Sequence, residues 1–203
     1  RRWGAGIETL RAFTGGLGVA SVALLYWVMR KAQGAGPALL SAVMLAIYPD
    51  AILYSRIGYS YNLLTPLVLL ACWGLWGYLE TTRRRWLALA ALALGLGFVS
   101  ELAALVFLLP FALVVVARRW RDLLWSLPLF ALPFGVYVVV MLITAPQAFL
   151  FDLGFTFLRA GAIPLLVQLP FVLVNLALLM ARDYWLGPAI VGLFMLQPLR
   201  WQR

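Results

Sequence analysis

The chain has 203 residues, 65% of them hydrophobic and 11% charged, with a mean hydropathy of +0.98 and a formal net charge of +9. A soluble domain carries about 45–50% apolar and roughly 25% charged residues, so too little polar surface exists here to cover a water-soluble globule. Disorder, a collagen repeat and a disulfide scaffold are excluded; there is no histidine for an imidazole-bound metal, and the single cysteine, Cys72, has no partner in the chain. What remains is a polytopic membrane protein.

Residues 1–11 carry Arg1, Arg2, Glu8 and Arg11 between Trp3, Ile7 and Leu10. They read as a segment lying on the membrane. A helix that crosses the hydrocarbon needs about 20 mainly apolar residues. The first candidate runs from Ala12 to Met29 and stops at Arg30-Lys31, the second from Pro37 to Tyr54, and the third from Leu63 to Leu79 before Arg83-Arg84-Arg85.

The apolar stretch from Trp86 to Ala117 is broken only by Ser100-Glu101. As one helix its 32 residues would reach about 48 Å at 1.5 Å per residue. That exceeds a hydrocarbon core of about 30 Å. It would also put the arginines at 83–85 and 118–121 on opposite sides. The expected solution is two short helices turning at Ser100-Glu101. A sixth span covers Leu123 to Ile143, a seventh Ile163 to Ala181, and 186–199 a short eighth. Between them, 149–159 alternates like a strand. A helix is expected there instead, because an open strand edge is costly against lipid. It would align Asp152, Thr156 and Arg159 beside an apolar face of Phe151, Phe155 and Leu158.

The fold expected is therefore all-α: one transmembrane domain over 1–203, of about seven to eight membrane helices with one or two interfacial helices. Its parts are an interfacial segment at 1–11, six membrane segments over 12–144, an external interfacial element at 145–162, and one or two further segments over 163–203. The interior loops at 30–36, 80–86, 117–122 and 181–185 carry nine arginines and lysines, against Arg56 and Arg159 alone on the other side. The positive-inside rule makes the first face cytoplasmic. The +9 charge is thus a lipid-facing topology signal, not a nucleic-acid footprint. Tyr54, Tyr78, Trp86, Trp120 and Trp125, near proposed helix ends, fit an aromatic belt. Pro66, Pro128, Pro133 and Pro170 fall inside spans and predict kinks. Gly15, Gly16, Gly18, Gly95 and Gly97 read as close-approach points between helices.

Charge at membrane depth often marks function. Asp50, Arg56 and Glu101 fall on the external side, with Tyr59 and Tyr61 in the loop beside Arg56. One reading is structural: Arg56 pairs with Asp50 or a lipid headgroup, and Glu101 caps the next helix. The other is a pocket for an anionic amphiphile, since the arginine fork suits phosphate. No nucleophile–base pair is recognisable, no metal site is expected and no cofactor is expected.

The elements Tyr54-Ser55-Arg56-Ile57-Gly58, Asn62-Leu63-Leu64-Thr65-Pro66-Leu67, Arg83-Arg84-Arg85-Trp86-Leu87-Ala88-Leu89-Ala90, Gly95-Leu96-Gly97-Phe98 and Leu109-Pro110 follow one another. In this they resemble the membrane domain of C-fold glycosyltransferases, in the dolichyl-phosphate-mannose protein mannosyltransferase-like and aminoarabinose-transferase-like branch, over about residues 1–145. The resemblance implies a multi-pass plasma-membrane protein that takes a sugar from a polyprenyl-phosphate-linked donor at the external face. Asp50, Arg56, Tyr59, Tyr61 and Glu101 would then serve the donor site. The catalytic acids of that family lie in an external loop after its first helix, and this chain is expected to start beyond that loop. Two departures stand out. Ser60 and Tyr61 stand where many relatives carry acids, and Ser100-Glu101 where many carry a lysine. The alternative is a non-catalytic membrane subunit, a diverged relative packing against partner proteins in a larger complex.

Overall fold

The computed structural model describes residues 6–56, 61–101 and 104–161, with the side chains at 54–56, 61 and 156–161 outside that description. The described residues are helical and contain no strand, in seven helices, as expected for an all-α membrane bundle. Three of these are long and apolar enough to cross a membrane: Ile7–Gln33, Asn62–Thr81 and Leu105–Thr144. This is fewer than the seven or eight expected. Part of the difference is that the last two expected spans, with Pro170, lie outside the described residues. The chain divides into two compact units, Arg1–Ile143 and Thr144–Arg203.

In the first unit, α1 (Ile7–Gln33) places Glu8 in its first turn and Arg30 and Lys31 in its last. All three charges match the helix dipole. Residues 7–11, expected to lie on the membrane as a separate piece, instead form the first turns of this helix. Thr14 and Ser21 are buried, and their hydroxyls return to the Leu10 and Leu17 carbonyls at 3.1 and 2.8 Å, so neither needs a distant partner. The helix stops at Gly34, whose φ of 95° requires a residue without a Cβ.

The span expected over Pro37–Tyr54 is two helices, α2 (Ala35–Ile47) and α3 (Pro49–Arg56). The break falls at Tyr48, with φ −66° and ψ 119°. A residue before proline is held out of the helical region, and proline is at home in the first turn of the next helix. α4 (Tyr61–Thr81) then carries Pro66 within it.

α5 (Arg84–Ser100) ends where the length argument requires. Glu101 is extended at φ −157° and ψ 129°, and α6 (Leu105–Thr144) starts just beyond. α6 is two helices joined across Arg119, whose φ of −159° and ψ of 103° are not helical. The two spans expected at 102–117 and 123–143 correspond to its halves. Pro110, Pro128 and Pro133 all lie within α6, yet the recorded break is at Arg119 among the arginines.

The core lies between α4, α5 and α6 and is built around small residues, Ala71, Ala90, Ala91 and Ala93, closed by Tyr78, Leu87, Leu94, Phe111 and Val115. Small side chains let helix backbones approach, which replaces a hydrophobic driving force inside lipid. Gly95 faces the Phe130 carbonyl, and Phe98 packs on the rings of Phe130 and Phe134 at 5.9 and 5.2 Å. By contrast, a Cβ at Gly15 or Gly16 would meet nothing within 4 Å, so the packing role expected of these two is not seen. The outward surface is apolar, with Val106, Leu113 and Ile143 each more than 60% exposed. A bilayer, not water, is the solvent that surface fits.

The second unit contains α7 (Pro146–Gly161), a helix where alternation allowed a strand. Phe151 and Phe155 are exposed and stack at 6.5 Å, one turn apart.

Candidate functional site

The first unit has two polar ends. Helix direction and contacts assign residues to each. Lys31 meets Glu80 at 3.5 Å, joining the end of α1 to the end of α4. Arg84 meets Asp122 at 3.0 Å, joining the start of α5 to the middle of α6. Arg118 donates to the Leu79 carbonyl at 3.2 Å. The basic loops at 30–36, 80–86 and 117–122 therefore share one end, which a single 32-residue helix could not have produced.

At the centre of this end is a buried carboxylate that the sequence reading passed over. Asp122 is 2% exposed; the Tyr78 hydroxyl donates to its Oδ2 at 2.8 Å and the Arg84 Nε to its Oδ1 at 3.1 Å. Tyr78, expected in an aromatic belt, is fully buried. Arg84 spans a further contact to the Trp125 ring at 5.6 Å. The signal was available: Asp122 is the one acid within Arg118-Arg119-Trp120-Arg121-Asp122, directly before an apolar run. Trp86 is likewise a packing residue, seated where a Cβ on Gly77 would come within 2.7 Å of its ring. Its indole Nε1 is buried with no hydrogen-bond partner among the described residues.

The opposite end holds the start of α4, the end of α5 and the short helix α3. Gly97 lies near Leu64 and Ala104 there, which ties the α5–α6 turn to the first turns of α4. Asp50 sits in the first turn of α3, where a carboxylate is favoured by the dipole, and accepts a bond from the Tyr48 hydroxyl at 3.3 Å. Glu101 occupies the turn between α5 and α6; its N–H reaches the Gly97 carbonyl at 2.8 Å and its carbonyl accepts from Ala104 at 3.0 Å. Asp50 and Glu101 thus belong to the same end, away from the basic loops at 30–36, 80–86 and 117–122. Arg56 closes α3, and Tyr61 opens α4. The side chains of Arg56 and Tyr61, and all of Tyr59, lie outside the described residues. Among the described residues no group of histidine, cysteine, aspartate or glutamate could hold a metal ion.

A sheetless bundle of long apolar helices, with one basic end and a broken second span, is an architecture many families share. The profile that matches is described as dolichyl-phosphate-mannose-protein mannosyltransferase, and it covers residues 4–150. The chain belongs to this family. The match takes in α1 to α6 entire, and it makes this a multi-pass membrane domain of glycosyltransferase type. No curated protein and no solved structure matches the chain. In this member of the mannosyltransferase family the basic end is held together by Tyr78, Asp122 and Arg84.

Proposed function

We propose that this chain is the membrane part of a glycosyltransferase that takes a sugar from a polyprenyl-phosphate donor and passes it to an acceptor at the external face of the plasma membrane. The observation that carries this is the mannosyltransferase profile over residues 4–150. Charge asymmetry supports the orientation, since the end with Arg30, Lys31, Arg83–Arg85 and Arg118–Arg121 suits the cytoplasm. The donor phosphate would then sit against Arg56, with Asp50, Tyr59, Tyr61 and Glu101 around the headgroup.

Two outcomes are expected. Single cysteines placed at 84 and 119 on a Cys72→Ser background should be protected from a membrane-impermeant thiol reagent added outside; external labelling at either position would overturn the orientation. An arginine–phosphate contact contributes about 1.5–3 kcal/mol as a charged hydrogen bond. Arg56→Ala should therefore weaken binding of a polyprenyl-phosphate sugar in nanodiscs by roughly 10- to 100-fold, at 1.4 kcal/mol per decade. Arg56→Lys should recover only part, because a point charge lacks the planar fork. Parent-like affinity in Arg56→Ala, with the fold intact, would remove Arg56 from the site.

A second reading, a non-catalytic membrane subunit, draws on Glu101. A carboxylate in the α5–α6 turn repels a lipid phosphate. Absence of donor binding by the folded parent would favour it.

A further inference from the structure

Eight cations among the described residues of the basic end divide into two groups. Four have duties inside the fold: Arg30 bonds the Tyr26 hydroxyl at 3.3 Å, Lys31 pairs with Glu80, Arg84 with Asp122, and Arg118 with the Leu79 carbonyl. The other four, Arg83, Arg85, Arg119 and Arg121, are exposed, and none makes a salt bridge among the described residues, Arg119 acting on Asp122 only through its longer-range field. Glu80 and Asp122, the carboxylates of this end among the described residues, are already engaged. The Arg84–Asp122 contact brings 83–85 and 118–122 into one cluster.

We propose that Arg83, Arg85, Arg119 and Arg121 form a docking surface for the headgroups of anionic phospholipid, bordered by Trp120. Three observations carry it. The cluster holds uncompensated positive charge where the spans end, the plane in which lipid phosphates lie. Two of its arginines are braced on indoles, Arg85 on Trp86 at 5.7 Å and Arg121 on Trp120 at 5.6 Å, which preorganises them for an anion. Trp120, Leu124 and Trp125 are exposed beside them, at 59, 57 and 38%. That apolar flank fits the glycerol and upper acyl chain of a lipid, and a free phosphate has no use for it. The proposal stands apart from the transferase reading and needs only that the spans cross a bilayer.

The test reads quenching of tryptophan fluorescence in the full chain, reconstituted in phosphatidylcholine nanodiscs with brominated phosphatidylglycerol or brominated phosphatidylcholine. The parent should favour the anionic lipid by at least about tenfold, which needs about 1.4 kcal/mol, less than four basic residues near an anionic surface can supply. Replacing all four arginines by glutamine should bring the ratio close to unity. The paired variants Arg83→Gln/Arg85→Gln and Arg119→Gln/Arg121→Gln should each give an intermediate ratio, and they decide the matter if the fourfold variant does not fold. Lys31→Gln, which breaks the exposed pair with Glu80 and a 6.0 Å contact to the Trp86 ring but leaves the four arginines in place, should keep the parent's ratio. The preference should fall at high salt. A parent-like ratio in both paired variants overturns the proposal. So does displacement by inorganic phosphate beyond the effect of sodium chloride at equal ionic strength, which would mark a free-anion site.

Discussion

Replacing Asp122 by alanine is expected to cost the bundle about 2–4 kcal/mol, from loss of a charged hydrogen bond and of a buried acceptor. The Tyr78 hydroxyl would be left fully buried with no acceptor, at the contact between α4 and α6. Arg84 suffers less, because its side chain is 57% exposed and can turn to water, so the ion pair itself contributes little. This asymmetry sets an order. Asp122→Asn keeps an acceptor for Tyr78 and should cost less than Asp122→Ala. Tyr78→Phe should cost about 1 kcal/mol, the worth of an ordinary hydrogen bond. Unfolding by SDS in mixed bicelles measures all three. A value for Asp122→Ala within the scatter of surface substitutions would show that the carboxylate is incidental.

Gly95→Ala is expected to cost about 2–3 kcal/mol, at the upper end of the overpacking range. The new Cβ would collide with the Phe130 carbonyl oxygen and lie 3.1 Å from both the carbonyl carbon and Pro133 Cγ. Backbone cannot move aside as a flexible side chain can. The same change at Gly16 meets open space, so the better helix propensity of alanine should make it neutral to stabilising, by up to about 1 kcal/mol. Comparing the two in the same unfolding titration separates glycine as a packing requirement from glycine as a sequence habit. Equal effects at both positions would refute the close approach of α5 and α6.

Much of the architecture was legible because bilayer thickness is a hard constraint. A 32-residue apolar run had to fold back, and Ser100-Glu101 was its only polar interruption; α5 ends there. Charge bias then ordered the loops, and the Lys31–Glu80 and Arg84–Asp122 contacts join the same loops in space. The break at Tyr48 escaped because hydropathy runs on across Pro49, while the constraint on the residue before proline is steric. Asp122 escaped for a related reason. In a block of arginines the charge is read as a sum, and the sum hides the one member that is buried. The glycines divided similarly: spacing suggests which could pack, and only the neighbouring helix decides which do. Arg56, Asp50, Tyr59, Tyr61 and Glu101 form an expectation of chemistry alone, and their test is ligand binding.

The lengths of the helices that reach the α3 end also bear on the lipid around it. At about 1.5 Å per residue, the 13 residues of α2 and the 17 of α5 span roughly 20 and 26 Å. The 14 residues of α6 that precede Arg119 span roughly 21 Å, against a hydrocarbon thickness of about 30 Å. Hydrophobic mismatch of this sign is relieved by drawing the leaflet inward. A bilayer that meets α2, α5 and the first half of α6 at these lengths is expected to thin beside them, which carries the polar headgroup layer down toward the α3 end.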